Sequence, residues 1–164
     1  MRGALGVVLL SVGCVGHAQV GLGAAVDTRD VEKPEVMVVS SAGMAPDADG
    51  FRNGLGLQTR SRRGPDGFDA SMAPLICHYE IARDTGWGMS ACGGASILNV
   101  GLRDGEVALG AVSPEASVLL WRRQESVLGW MVGLHGGYDV RLTGQGGSPW
   151  VGLSLGYGPA SGGF

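Results

Sequence analysis

Residues 127–142 read Val-Leu-Gly-Trp-Met-Val-Gly-Leu-His-Gly-Gly-Tyr-Asp-Val-Arg-Leu, and this stretch decides the fold. Its even-numbered positions, from Leu128 to Leu142, are large and apolar except for Gly136. From position 129 onward its odd-numbered positions are glycine, Met131 or polar residues. A period of two over this length predicts a β-strand rather than a helix, because successive strand side chains point to opposite faces.

The same alternation occurs in residues 51–60 and 150–157, where large apolar side chains alternate with glycine, serine, glutamine or arginine. In a soluble barrel the face opposite the core would be charged. Glycine on a solvated strand face weakens the strand and contributes nothing to solubility. Large residues facing lipid and small residues facing a narrow lumen explain the pattern, so it favours a transmembrane barrel.

Turn residues divide the rest of the chain into strands. The eight candidates are 19–26, 34–41, 50–61, 68–82, 87–102, 106–122, 126–142 and 149–158. Eight strands form a small barrel whose interior is just filled by side chains. The sequence therefore predicts an all-β, antiparallel, up-and-down transmembrane β-barrel of about eight strands. Pro34 weakens the second strand and residues 113–115 can break the sixth, so six or ten strands remain alternatives.

Length and composition bound the function. A chain of 164 residues and 16.8 kDa suits one domain. The net charge of −3 gives no basic surface for nucleic acid. The 31 glycines follow no Gly-X-Y period, which excludes a collagen. A charged fraction of 16% beside 45% hydrophobic residues argues against a wholly disordered chain.

The first 18 residues have the pattern of a secretory signal peptide. Met1 and Arg2 form a positive start, an apolar stretch follows, and residues 16–18 end with small side chains at a cleavage site. We therefore expect residues 1–18 to be removed, leaving a β-barrel domain of residues 19–164 in an oxidising compartment. A lipidated Cys14 is an alternative, although Leu10 lies one position too far upstream for the usual lipobox.

The predicted turn at residues 83–86 places two cysteines opposite each other. It pairs Ala82 with Trp87, so positions whose numbers sum to 169 face each other, as those of Cys77 and Cys92 do. Directly opposed strand residues lie within disulfide range. The sequence predicts a Cys77–Cys92 disulfide, with two free buried thiols as the alternative.

Six charged or titratable side chains are candidates to point into the lumen: Arg52, Arg60, Glu115, His135, Asp139 and Arg141. Buried charges must be paired, so we expect a lumenal polar network. His135 and Asp139 are about 13 Å apart along one strand, too far for a catalytic dyad. No serine is convincingly placed as a nucleophile. We therefore predict no catalytic residue, metal ligand or cofactor, with a barrel enzyme acting on membrane lipid as an alternative.

Two surface features suit a membrane. Arg60, Arg62 and Arg63 form a basic cluster beside the turn at residues 65–67, where lipopolysaccharide phosphates could bind; a simply solvated loop is the alternative. Four aromatic side chains have positions that suit interfacial girdles, namely Trp87, Trp130, Trp150 and Tyr157.

These features resemble the small outer-membrane β-barrel proteins of Gram-negative bacteria: the signal peptide, the alternating strands and a last strand, residues 150–157, like those that close such barrels. The resemblance covers the mature chain, most clearly from residue 50. It implies an outer-membrane location in the cell envelope, contact with outer-membrane lipid, and insertion by the barrel-assembly machinery. Phe164 fits the aromatic terminal residue of these proteins, but Pro159 interrupts the strand before it and Phe164 is out of phase with Tyr157.

The resemblance implies a structural, interaction or narrow-pore (porin-like) role, with lipopolysaccharide as a candidate partner. A different class of protein remains open. A soluble periplasmic or secreted β-barrel that binds a small apolar ligand would also have alternating strands.

Overall fold

The computed structural model describes residues 14–46, 52–65, 67–82, 85–103, 106–110, 112–122, 128–140 and 147–161. These residues form ten β-strands: β1 (Cys14–Asp27), β2 (Asp30–Pro46), β3 (Asn53–Gly64), β4 (Gly67–Ala82), β5 (Trp87–Ser96), β6 (Leu98–Arg103), β7 (Glu106–Gly110), β8 (Ser113–Arg122), β9 (Leu128–Asp139) and β10 (Ser148–Ser161). No helix in the described residues has the length and hydropathy needed to cross a membrane.

The ten strands close into an eight-stranded antiparallel barrel. β4 pairs with β5 through one half and with β6 through the other, so β5 and β6 are one strand interrupted at Ile97. β7 and β8 continue each other in the same way, because β7 pairs with β6 and β8 pairs with β5. Pairing of β1 with β10 closes the ring. The predicted all-β, antiparallel, up-and-down barrel of about eight strands is confirmed.

The two prolines that weakened the prediction are both accommodated. Pro34 lies near the start of β2, in the part that β3 does not pair, since that pairing begins at Val36. Pro114 lies in β8 on the exposed face, opposite Ala95. The sixth strand is therefore divided before Ser113 and not at Pro114.

The first strand is longer than predicted. β1 begins at Cys14, so residues 14–18 of the predicted signal peptide pair with residues 42–46 of β2. Residues 1–13 are outside the described part of the chain. Cleavage after Ala18 and lipidation of Cys14 both stay predictions.

The stagger of the barrel follows from its register. A row that starts at His17 passes through one residue of each strand, namely Gly43, Gly56, Leu75, Gly94, Glu115, Gly137 and Trp150, and returns to β1 at Asp27. The displacement along β1 is 27 − 17 = 10 residues. Strands staggered in this way tilt by about 40°, so a row rises about 3 Å along the barrel axis at each strand. We call the end with Cys14 and Ser161 the terminal end and the other the loop end.

The two faces of the wall have opposite characters. Leu134 is 49% exposed on the outer face, whereas its neighbour His135 is 1% exposed in the lumen. Val132 and Leu153 are likewise exposed, and Ser154 is buried. Large apolar side chains therefore cover the outside, and polar or small residues line the inside, as the alternation predicts.

The described residues include one disulfide, between Cys77 of β4 and Cys92 of β5. The two residues are direct partners in the register. The turn that sets this register ends at Gly86, whose φ of 70° favours glycine and whose N–H donates to the Ala82 carbonyl at 2.9 Å.

Reduction should expose two further thiols in the denatured protein, measured by thiol counting with and without reductant. Because the bridge closes a loop of 15 residues, the Cys77→Ser, Cys92→Ser double variant should lose about 3 kcal/mol of stability in the chain-entropy model. Equal thiol counts before and after reduction would contradict the bridge and the register of this hairpin.

Candidate functional site

The loop-end half of the lumen holds a buried ion pair. Arg60 Nη2 donates to Glu115 Oε1 at 2.9 Å and to Asp139 Oδ1 at 3.2 Å. Ser71 donates to the same Glu115 oxygen at 2.9 Å and accepts from Arg60 Nε at 3.2 Å. Gln58 Nε2 donates to the other Glu115 oxygen at 3.2 Å. The carboxylate of Glu115 thus accepts three hydrogen bonds, and the residue is only 3% exposed.

A second arginine extends this pair into a network. Arg62 is 3% exposed and donates to Asp139 and, at 3.3 Å, to Asp69. Its Nε lies 3.5 Å from Glu35 Oε2. We call these six side chains the ionic layer: Arg60, Arg62, Glu35, Asp69, Glu115 and Asp139. Loss of one partner of a buried pair leaves the other charge uncompensated, which typically costs about 3–5 kcal/mol.

The indole ring of Trp150 packs against the guanidinium groups of both arginines. The guanidinium carbons of Arg60 and Arg62 lie 4.0 and 5.1 Å from the centroid of its ring, in cation–π geometry. Gly137 on the neighbouring strand provides the space, because a Cβ there would lie 2.9 Å from Trp150 Nε1. The assignment of Trp150 to an outer girdle is therefore wrong: it is 2% exposed and points inward with the parity of Gly152.

The terminal-end half of the lumen contains a mainly apolar plug, in which the polar side chains of Ser90 and Ser117 are also buried. Three rings meet there, with Tyr79 5.8 Å from His17 and 6.5 Å from Trp121, measured between centroids. The Tyr79 hydroxyl lies 3.1 Å from Nδ1 of His17. The buried apolar residues of the plug are Val15, Ala45, Ala73, Leu75, Cys77, Tyr79, Cys92, Leu119, Trp121 and Met131.

His135 lies beside Ser154, with 2.8 Å between Nε2 and Oγ. Sequence reasoning missed this serine because it lies two residues from the direct partner of His135, Gly152. The parity of Ser154 along its strand, which predicts an inward side chain, was the available signal in the sequence. A serine beside an imidazole is a geometry used in nucleophilic catalysis. Here the two residues are 4% and 1% exposed, so a substrate would have no access to them in this conformation.

The six predicted lumenal residues have different positions. Arg60, Glu115 and Asp139 lie together in the ionic layer, whereas His135 contacts Ser154 instead. The structure does not bring Arg52 into this network.

Arg52 has the inward parity of Arg60 but precedes β3 at the terminal end, where its carbonyl accepts from the Tyr79 N–H at 3.0 Å. Eight residues of strand, about 27 Å, separate it from Arg60. Arg141 lies outside the described residues.

The predicted basic cluster is divided between the two faces of β3. Arg60 and Arg62 point inward and are buried, whereas Arg63 is exposed on the outer face. Alternation along a strand makes this separation unavoidable. Only Arg63 of the three can contact a phosphate outside the barrel.

The described residues contain no group of three or more histidine, cysteine, aspartate or glutamate side chains arranged to hold a metal ion. The carboxylates of the ionic layer are instead directed at arginines.

Comparison with known proteins identifies the fold. The structure is similar to the crystal structure of Neisserial surface protein A, with a TM-score of 0.66 and 13% sequence identity over 91% of this chain and 97% of that one. At this identity the likeness shows the fold alone. No protein-family model matches the sequence. No curated protein matches it either.

Gly133 and Gly93 provide a matched test of the filled lumen. A Cβ at Gly133 would lie 2.7 Å from Ser154 Oγ and 2.9 Å from Leu119 Cδ2, whereas a Cβ at Gly93 would meet nothing within 4 Å. We expect Gly133→Trp to prevent folding and Gly93→Trp, on the outer face, to fold. Heat-modifiable gel mobility distinguishes the closed barrel from the unfolded chain. Normal folding of Gly133→Trp would show that the lumen has room to spare.

Proposed function

We propose that this chain is an integral outer-membrane β-barrel with a structural or interaction role and a lumen that is sealed by its own side chains. The observation that carries the proposal is the inverted distribution of polarity between the two faces of the wall. Arg60, Arg62 and Glu115 are buried inside, while large apolar residues are exposed outside.

The outer surface matches a lipid environment. Its exposed apolar side chains on β1, β9 and β10 include Val20, Leu22, Trp130, Val132, Leu134, Leu153, Leu155 and Tyr157. Trp130 and Tyr157 pack edge to face, with 5.1 Å between their centroids, as part of an aromatic girdle at the terminal end. In water so continuous an apolar surface would cause aggregation, whereas in a bilayer it is solvated by acyl chains.

A soluble barrel that binds an apolar ligand fits this distribution poorly. Such a protein needs an apolar cavity and a polar exterior. Here the interior contains an ionic layer at one end and a packed, mainly apolar plug at the other.

The sealed lumen favours a structural or interaction role over a narrow pore. Glu115, His135 and Tyr79 span the two halves of the lumen and are between 0% and 3% exposed. A permeant ion would have to displace the Arg60–Glu115 pair and then cross a desolvated apolar plug. The same burial argues against catalysis on membrane lipid by His135 and Ser154.

The similar structure adds support for location. That protein carries the name of a surface protein. A position in the outer membrane, with the loop end toward the exterior, agrees with this name and with the export signal expected from residues 1–18. Entry by the barrel-assembly machinery belongs to the same proposal.

An arginine on the outer face should test membrane insertion. The Leu153→Arg variant should lose about 2–4 kcal/mol of unfolding free energy in lipid vesicles, because the charge would enter hydrocarbon. The control Val31→Arg, which is also at an exposed valine but lies near Asp30 at the loop end, should change stability by less than about 0.5 kcal/mol. Equal stability of both variants, together with wild-type protein that stays in the aqueous phase without detergent, would refute insertion.

Conductance measurements test the sealed lumen separately. In planar bilayers the wild-type protein should give no current above that of the bare lipid, because buried side chains of the ionic layer and the plug occupy both halves of the lumen. A porin recorded under the same conditions serves as the control. Stable unitary conductance steps from the folded, heat-modifiable protein would restore the narrow-pore role.

A further inference from the structure

The apolar outer surface of the barrel does not span the same heights along the barrel axis on all flanks. At the terminal end of β4 the outer face becomes polar at His78, whose ring nitrogens lie 2.7 Å from Asn53 Oδ1 and 2.9 Å from Glu80 Oε1. All three side chains are exposed. The apolar outer positions of β4 therefore begin only at Ile76, which is 68% exposed.

On β9, on the opposite flank, the apolar outer surface extends further toward the terminal end. Ile76 shares a row with Gly136 of β9, three strands away, so Gly136 lies about 9 Å nearer the loop end. Leu128 is eight residues below Gly136, about 19 Å along the axis at this tilt. Leu128 thus lies at about the height of Glu80. At one height the barrel is apolar on β9 and charged on β4.

The loop end is displaced in the same direction. Arg63, Phe68, Leu102 and Val107 are successive partners in one outer row across β3, β4, β6 and β7. The row rises at each strand, which places Val107 about 9 Å beyond the charged Arg63. Val107 is nevertheless 71% exposed, and Leu109 on the same hairpin is 58% exposed.

Both ends of the apolar surface are therefore shifted toward the loop end on the flank formed by β4, β6 and β7. We propose that the barrel axis is tilted in the membrane, so that the outer face of β6 and β7 is immersed in the hydrocarbon of the outer leaflet. This inference rests on the proposed function. A shift of about 9 Å across a barrel about 20 Å wide corresponds to a tilt of about 25°.

Acyl chains are the occupant that the surroundings favour. The outer face of Phe68, Leu102 and Val107 is continuous with the lipid-facing positions of β4 through Met72 and Ile76. The same tilt lowers His78, Asn53 and Glu80 out of the hydrocarbon, which removes the cost of burying their polar groups. A single tilt of the barrel thus places the apolar residues of this flank in hydrocarbon and its polar residues outside it.

Tryptophan quenching by brominated lipids tests the tilt. In the full chain, Trp87 and Trp130 are replaced by Phe, which leaves only the lumenal Trp121 and Trp150 as background. Single tryptophans are then introduced as Val107→Trp and Val31→Trp, two exposed valines at the loop end on different flanks. Leu153→Trp reports the middle of the apolar surface.

We expect bromines high on the acyl chain to quench Val107→Trp to about half the extent that mid-chain bromines quench Leu153→Trp, and to leave Val31→Trp unquenched. Equal quenching at positions 107 and 31 would indicate an upright barrel and overturn the inference. Quenching of Leu153→Trp without quenching of Val107→Trp would show that the flank faces water or a second protein, which overturns it as well.

The failure of the proposed function has a different signature, since Leu153→Trp would then be unquenched by any lipid. Heat-modifiable mobility confirms folding of each variant. If Val107→Trp does not fold, Leu102→Trp probes the same flank at a residue that is 47% exposed. Its quenching by bromines high on the chain supports the tilt, and its absence overturns it.

Discussion

Closure of eight strands with a stagger of ten residues leaves a lumen that only side chains can fill, and the rest of the structure depends on this limit. Several large inward side chains occupy space that a glycine leaves free on a nearby strand. The lumen repeats this pairing at several heights: Tyr79 with Gly43, Trp121 with Gly88, Trp150 with Gly137, Met37 with Gly152 and Gln19 with Gly156. At these positions glycine is therefore required by the space that the opposing side chain occupies.

The hydrogen bonding of the ionic layer is also consistent with a narrow lumen that side chains fill. Packed side chains inside the lumen leave no bulk water to solvate Arg60 or Glu115, so each must find its partners among the other lumenal side chains. Ser71 and Gln58 each donate a hydrogen bond to Glu115, and the Trp150 ring lies against the guanidinium groups of both arginines. Desolvation is offset by several charge-assisted hydrogen bonds at once, which a single isolated pair could not supply.

The parity of the strands could be predicted from the sequence, because alternation with period two assigns each residue of a regular strand to a face. The same parity, applied to Trp150 and Arg62, would have placed them inside with Arg60. The stagger could not be predicted, because it depends on how all eight strands pair. Arg52 shows the consequence: it has the correct parity, but its height along the barrel separates it from the ionic layer. Ser154 contacts His135 diagonally across two strands, and the pattern of a single strand cannot predict such a contact.

A structure shared at 13% identity implies that the fold is specified by pattern more than by particular residues. In a bilayer, the hydrophobic effect does not drive strands together once they are inserted, so outer residues need only be apolar. The inner residues must instead fit one another in volume and charge, because each shares the lumen with side chains from several strands. The Arg60–Glu115 pair, the plug around Tyr79 and the glycines opposite large rings form one such solution. The features particular to this chain therefore lie in the lumen and along the edges of its apolar outer surface, where the polar side chains of Arg63 and His78 are exposed.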